Sequence, residues 1–174
     1  MTSMGMTPLE GLMMGTRAGS IDPGILLALL RQGRLSLEGL SEGLEHESGL
    51  LAVSGTSSDM RQLAADAARG EARAALAIEM FVGRAAAGIA AAATSLPSLD
   101  GLVFTGGIGE HAAKVRAAIV HRLGVLGIQP IDDRAVEEDA VLGRPRDIPA
   151  VLRIEAREDL VIAGAVERLL GVGS

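Results

Sequence analysis

The segment GLVFTGGIGEH, residues 101–111, sets Gly106, Gly107 and Gly109 between a short apolar run and a helical pattern. Backbone N–H groups at such a corner, beside the positive end of a helix, make a site for an anion or a ribose. The same glycines also let a strand and a helix pack closely, and the segment matches neither GxGxxG nor the GxxxxGK of a phosphate loop. In GTRAGSIDP, residues 15–23, Arg17 stands among small residues. A planar guanidinium there can grip a phosphate or carboxylate with two hydrogen bonds, or it can be a solvated loop residue. SSDMR, residues 57–61, brings two hydroxyls, the Asp59 carboxylate and the Arg61 guanidinium to a helix start. As plain structure it is an N-cap by Ser57 or Ser58. REDL, residues 157–160, opens a helix with Glu158 and Asp159. That suits the helix dipole, and Glu158 is also a hard oxygen ligand fit for Mg²⁺. Taken one at a time, the structural readings outweigh the chemical ones.

Other chemistries find no support. His111 and His121 are ten residues apart, which is not metal spacing on one helix face, and His46 lies in a charged helix. GLSEG, residues 39–43, fits the letters of GxSxG but lies within the expected second helix and not at a strand-to-helix turn, so a nucleophilic serine has no support. With no cysteine, disulfides, thiolate zinc sites and cysteine nucleophiles are excluded, and a reducing, cytoplasmic setting is expected.

These residues need a scaffold. Residues 4–12 read as strand or loop, and Ser20 and Asp22 before Pro23 predict a helix that runs to Gln32 and stops at Gly33. Ser36 caps a second helix whose Leu37, Leu40 and Leu44 recur at helical spacing. A helix over 59–69 follows the turn-rich SGTSSD. An alanine-rich helix then extends from Glu71 to about Ser95 and halts before Pro97. LVF reads as a buried strand, and from Glu110 a helix puts Val115, Ala118, Ile119 and Leu123 on one face. Residues 127–133 read as loop, 132–143 as acidic and mixed, and AVLRI, 150–154, as a strand. A last helix, 158–170, buries Ile162, Val166, Leu169 and Leu170. Strands separated by helices predict an α/β domain.

Composition narrows the partners. The 174 residues suffice for one domain, and a net charge of −6 argues against nucleic acid or an anionic membrane. No Trp or Tyr and two Phe leave no aromatic platform for stacking bases. The most apolar window, 85–96, is shorter than the ~20 residues of a membrane helix. Hydrophobic residues reach 48% alongside 23 glycines. The core is therefore expected to be aliphatic and alanine-based, with surplus apolar surface for burial against another chain or domain.

Together the segments resemble one family. TSMGMTPLEGLMMGTRAGSIDP, SGLLAVSGTSSDMR, FTGGIGEH and REDLVIA are similar, in order and spacing, to the C-terminal half of acetate kinase. The similarity covers essentially the whole chain and is most specific over 2–23. It implies a ribonuclease-H-like α/β lobe of the superfamily of acetate and sugar kinases, heat-shock chaperones and actin. Such a lobe has a central mixed sheet with flanking helices, and one domain would span residues 1–174. It implies reversible transfer of the ATP γ-phosphoryl group to acetate with Mg²⁺, giving acetyl phosphate and ADP. By the same resemblance Arg17 stabilises the phosphoryl group in transfer, and Asp59, Met60 and Arg61 contact the nucleotide. Gly107, Ile108, Gly109, Glu110 and His111 form the adenosine-binding turn, and Glu158 is the metal-associated glutamate. An ionised carboxylate substrate asks no general base of this chain.

Departures accompany the likeness. His111 stands where the family usually has Asn, Ala156 and Arg157 change the neighbours of Glu158, and Met1 replaces an aspartate. The N-terminal lobe, which in the family brings acetate-binding residues, a second arginine, a catalytic histidine and a phosphate loop, is not encoded in this sequence. The chain is therefore expected to be inactive alone and to act with a complementary N-terminal lobe or as a homodimer. The competing expectation is a non-catalytic nucleotide-binding or dimerisation module, or part of a propionate kinase.

Overall fold

Asp22 starts the first helix as expected: its carboxylate accepts from the Gly24 amide at 2.8 Å, with Pro23 in the first turn. The computed structural model describes residues 2–171, so Met1 lies outside the described residues. Residues 2–22 form turns and bends without a strand. α1 (Pro23–Arg31) and α2 (Leu37–His46) follow, α2 capped by the Ser36 hydroxyl on the Gly39 amide at 3.0 Å. The apolar run before SGTSSD is a short helix, α3 (Gly49–Ser54).

α4 (Met60–Ala68) is capped by Asp59, which accepts from the Arg61 amide at 2.8 Å. Neither Ser57 nor Ser58 takes that place. The Ser57 hydroxyl accepts from the Asp59 amide at 3.0 Å and so sets up the turn that presents the aspartate.

α5 (Ala72–Ala93) is the backbone of the core and packs against α3, α4 and α7. It is 22 residues long and apolar enough to cross a membrane by length and composition, so the shorter window of the sequence reading understated it. Its buried residues are Ala74, Ala77, Val82, Ala85 and Ala86, small side chains that let three helices approach. Ala77 has no exposed surface. Ala77→Leu is therefore expected to destabilise by about 1–3 kcal/mol through overpacking, read as a lower urea midpoint at unchanged slope.

β1 (Gly101–Phe104) leads into α6 (Gly106–His111) and α7 (Ala113–Arg122). One helix was expected from Glu110, but the chain breaks at Ala112, whose φ −99° and ψ 72° are not helical. The cause is Arg116. Its guanidinium donates to the carbonyls of Gly109 at 2.9 Å and Glu110 at 2.7 Å, replacing the amides that a continuous helix would aim at them. Val115, Ile119 and Leu123 are buried as expected; Ala118 is exposed, and Arg116 and Val120 are buried instead.

The sheet has the order β1-β3-β2, with β2 (Ala140–Val141) and β3 (Ala150–Arg153). β1 runs parallel to β3, with Gly101 opposite Ala150 and Phe104 opposite Arg153. β2 lies antiparallel on the far side of β3, inside the stretch read only as acidic and mixed. α8 (Glu158–Leu170) forms where expected, but its expected buried face does not exist. Ile162, Val166, Leu169 and Leu170 are 63%, 46%, 86% and 70% exposed. Helical spacing marks an apolar face without saying what covers it, and no described element of this chain reaches it.

Candidate functional site

Arg17 sits on a loop seated against the start of α3. The amides of Ser48, Leu50 and Leu51 donate to the carbonyls of Thr16, Met14 and Gly15 at 2.8, 3.0 and 2.9 Å. Donors that a helix N-terminus leaves open are thus used to hold this loop. The close approach requires Gly49, at φ +63°: a Cβ there would lie 2.3 Å from the Met14 oxygen and 2.7 Å from the Arg17 oxygen. The Arg17 side chain is half-buried, its Nε is buried without a hydrogen-bond partner, and among the described residues no carboxylate pairs with it. Gly15 lies against Ser58, where an added Cβ would meet the Ser58 Cβ at 3.3 Å. The Arg17 loop and the Asp59 helix start are therefore neighbours.

At that helix start Asp59 and Arg61 pair with each other, Nε to Oδ1 at 3.1 Å and a terminal nitrogen to Oδ2 at 2.6 Å. The Met60 side chain is 5% exposed and belongs to the core. The Arg61 side chain, then its amide, hold the Asp59 carboxyl down at about 2, from 3.8. A depressed carboxyl pKa contributes stability that is complete above pH 3.8 and lost as pH falls through about 2. Asp59→Asn is expected to flatten that part of the acid limb, read as Tm against pH from about 5 to about 2.

The glycine turn is held from behind. Gly106 has φ +72°, and Gly109 packs on Phe104, where an added Cβ would lie 3.4 Å from the Phe104 carbonyl carbon. The Glu110 carboxylate accepts from the Gly106 amide at 2.7 Å, the Ala156 amide at 2.8 Å and the Arg153 guanidinium at 3.2 Å. Glu110 is 7% exposed, so its carboxylate faces inward. These contacts hold it below the usual carboxylate range, the Ala156 amide first, then Gly106 and Arg153. Through Ala156 the same carboxylate fixes the approach to Glu158, the first residue of α8. Arg157, just before it, is held by Asp139 at 2.9 Å. Ile108 packs against the core, and His111 is exposed at the C-terminal end of α6.

Two clusters result: Arg17 with Asp59–Arg61, and the glycine turn with Glu158. A groove of about 910 Å³ is lined by Met14, from the Arg17 loop, and by Gly106–Gly109, while Arg17 itself, Asp59, Met60, Arg61, Glu110, His111 and Glu158 do not line it. Among the described residues no three potential metal ligands gather. Exposed Glu158 suits the role of a single carboxylate, because Mg²⁺ keeps several waters and takes its other ligands from phosphates. Sequence reasoning missed Arg116 and Arg153, both 2% exposed. The only hint was a lone charge inside the apolar run AVLRI.

A small mixed sheet with helices about it defines an α/β domain, in which one loop anchors an arginine and one clamped corner carries three glycines. The matches say which family it belongs to. Residues 1–164 match the model of the Acetokinase family, and the chain belongs to that family. It is 48% identical to the acetate kinase of Deinococcus deserti over 175 residues, covering 97% of this chain and 43% of that protein. Against the acetate kinase of a Synechococcus strain the identity is 51%, covering 97% and 42%. The acetate kinase structure from Porphyromonas gingivalis superposes with a TM-score of 0.87 at 36% identity, covering 97% of this chain and 43% of that one. A propionate kinase structure from Francisella tularensis gives 0.84 at 40% identity, covering 92% and 41%. The chain thus spans about two fifths of the length of the relatives it matches.

Proposed function

We propose that this chain is the C-terminal, nucleotide-binding part of an acetate kinase, which transfers phosphoryl between ATP and acetate to give acetyl phosphate and ADP. The observation that carries the reading is the double anchoring of the Glu110 carboxylate, which ties the glycine turn to the start of α8. It supports a nucleotide whose adenosine lies on the backbone of Gly107, Ile108 and Gly109, with the peptide groups of Asp59–Arg61 nearby. Arg17 is the group placed to stabilise charge on the phosphoryl oxygens. Glu158 would hold Mg²⁺, which would supply positive charge to offset that of the nucleotide phosphates. Phosphoryl transfer depends on positioning and electrostatics, and this chain holds only part of that apparatus. Its activity requires the complementary N-terminal polypeptide. Exposed Ile25 and Leu27 on α1 and Leu37 on α2 support a dimer of the assembled enzyme.

The test is co-expression with the part of the Deinococcus deserti acetate kinase outside the match, followed by assay of acetyl phosphate from ATP and acetate. The chain alone is expected to be inactive and the pair to turn over. Kinase rates of ~1–100 s⁻¹ from the chain alone would overturn the reading, as would nucleotide binding by the pair without turnover. The 40% identity to a propionate kinase favours propionate as a second acceptor, decided by the ratio of kcat/KM for the two acids.

A further inference from the structure

Arg157 breaks a local rule. It occupies the N-cap position of α8, with φ −116° and ψ 54°, and its side chain makes no capping hydrogen bond. Ser, Thr, Asp or Asn is the usual choice there, and a cation at that end opposes the helix dipole. It also directly precedes Glu158, the carboxylate assigned to Mg²⁺. A guanidinium free to swing onto that carboxylate would compete with a metal ion for it and repel the ion by its charge.

The structure turns it away. Asp139, 18 residues earlier and just before β2, accepts from one terminal nitrogen of Arg157 at 2.9 Å. The other terminal nitrogen donates to the Glu155 carbonyl at 3.4 Å, and the Glu155 carboxylate lies 3.8 Å away. Among the described residues, the ion pairs of Arg157 go to Asp139 and Glu155, not to Glu158. Asp139 is itself fixed from behind. Its Oδ1 accepts from the Glu155 amide at 2.8 Å and lies 3.7 Å from the buried Arg153 guanidinium. The Glu155 and Ala156 amides, successive in the turn between β3 and α8, are thus each held by a carboxylate, Asp139 on one and Glu110 on the other. Asp139 keeps its second oxygen for Arg157.

We propose that Asp139 is a positioning residue for the metal site: it holds the Arg157 guanidinium away from Glu158 and keeps that carboxylate open to a divalent cation. This rests on the proposed function, which assigns the cation to Glu158. Asp139 is not a metal ligand; it acts through Arg157, by anchoring and offsetting the cation that stands next to Glu158 in the chain. The two residues then form a matched pair. An arginine poorly suited to the start of α8 is tolerated because an aspartate restrains it, so losing the aspartate alone does harm that losing both does not.

The experiment measures binding of Mn²⁺, which takes the same oxygen donors as Mg²⁺, with ADP present. It is read from the electron paramagnetic resonance signal of free Mn²⁺, on the chain alone and on its co-expressed complex with the non-matching part of the Deinococcus deserti enzyme. Asp139→Asn keeps an oxygen for the Glu155 amide and removes the charge that holds Arg157. It is expected to raise the Mn²⁺ Kd about fivefold, and the Mg²⁺ concentration for half-maximal turnover in step. Asp139→Asn with Arg157→Asn is expected to return the Kd to within about twofold of wild type, because the cation is gone with its restraint. A purely structural role for Asp139 would leave the double variant as weak as the single one. Should Asp139→Asn not fold, exposed position 157 carries the test. Arg157→Lys keeps the charge and loses the planar fork, and is expected to raise the Kd about threefold, whereas Arg157→Asn is not. An unchanged Kd in Asp139→Asn, a double variant no better than the single, or equal affinities for lysine and asparagine at 157 would overturn this inference; turnover by the same complex would leave the function standing. The expected order of affinities in a complex without turnover would support the inference and sink the function. Binding of no more Mn²⁺ than ADP holds by itself would overturn the inference.

Discussion

Arg153→Met is expected to destabilise the chain by about 3–5 kcal/mol, because it breaks a buried ion pair from one side. Arg153 is 2% exposed, donates to Glu110 at 3.2 Å and lies 3.7 Å from Asp139. Without it the inward-facing Glu110 carboxylate keeps two amide donors and loses its cation. For a domain of this size the change corresponds to a Tm drop of about 10 °C. The pH dependence has a definite sign. The Glu110 carboxyl is held low by the Ala156 and Gly106 amides and by Arg153, so its contribution is present above the ordinary 4.5 and is lost as pH falls through its lower folded value. In the variant one of those causes is gone, so acid unfolding is expected to begin at higher pH. Arg153→Met with Glu110→Gln makes the cycle complete: an amide in place of the carboxylate no longer needs the cation, so the double variant is expected to be more stable than the sum of the single losses. Strict additivity would show that the two side chains do not act as a pair.

How much of this was legible in the sequence depends on the distance over which each feature is decided. Asp22-Pro23, Ser36 and the Glu71–Ser95 alanine run fix helices locally, and α1, α2 and α5 formed where read. The Ala112 break was illegible because Arg116 makes it, through carbonyls six and seven residues back. The Glu110–Arg153 pair spans 43 residues, and nothing near either residue announces the other. β2 has two residues and exists only because β3 lies beside it. Helical spacing put Ile162, Val166, Leu169 and Leu170 on a buried face of α8, and all four are exposed, because spacing records which residues share a face and not what packs on it. At the site, each segment alone favoured a plain structural reading. It was the order of four segments, through a family resemblance, that turned Arg17 and the glycine turn into chemical candidates.

Arg17→Ala is expected to lower kcat of the reconstituted enzyme about 10³-fold while changing the nucleotide KM by less than about tenfold. A guanidinium aimed at a phosphoryl group in transfer is worth about 10³–10⁵ in rate, provided that it is fixed in place and not neutralised by a neighbour. The backbone that carries Arg17 is fixed, and among the described residues no carboxylate pairs with its guanidinium. The loop carrying Arg17 is bonded to the first turn of α3 by three amides, and Met14 donates back to the Arg17 carbonyl at 2.9 Å. Arg61, by contrast, is committed to Asp59 at 2.6 Å, so Arg61→Ala is expected to cost far less. Arg17→Lys keeps the charge and loses the planar fork, and is expected to recover only a small part of the rate. Free guanidinium added to the alanine variant is expected to restore turnover in part, with no effect on the wild type, which a purely structural role for the side chain would not produce. A kcat within threefold of wild type for Arg17→Ala would remove this arginine from the reaction, and with it the reason for a glycine at position 49 that lets the loop lie so close to α3.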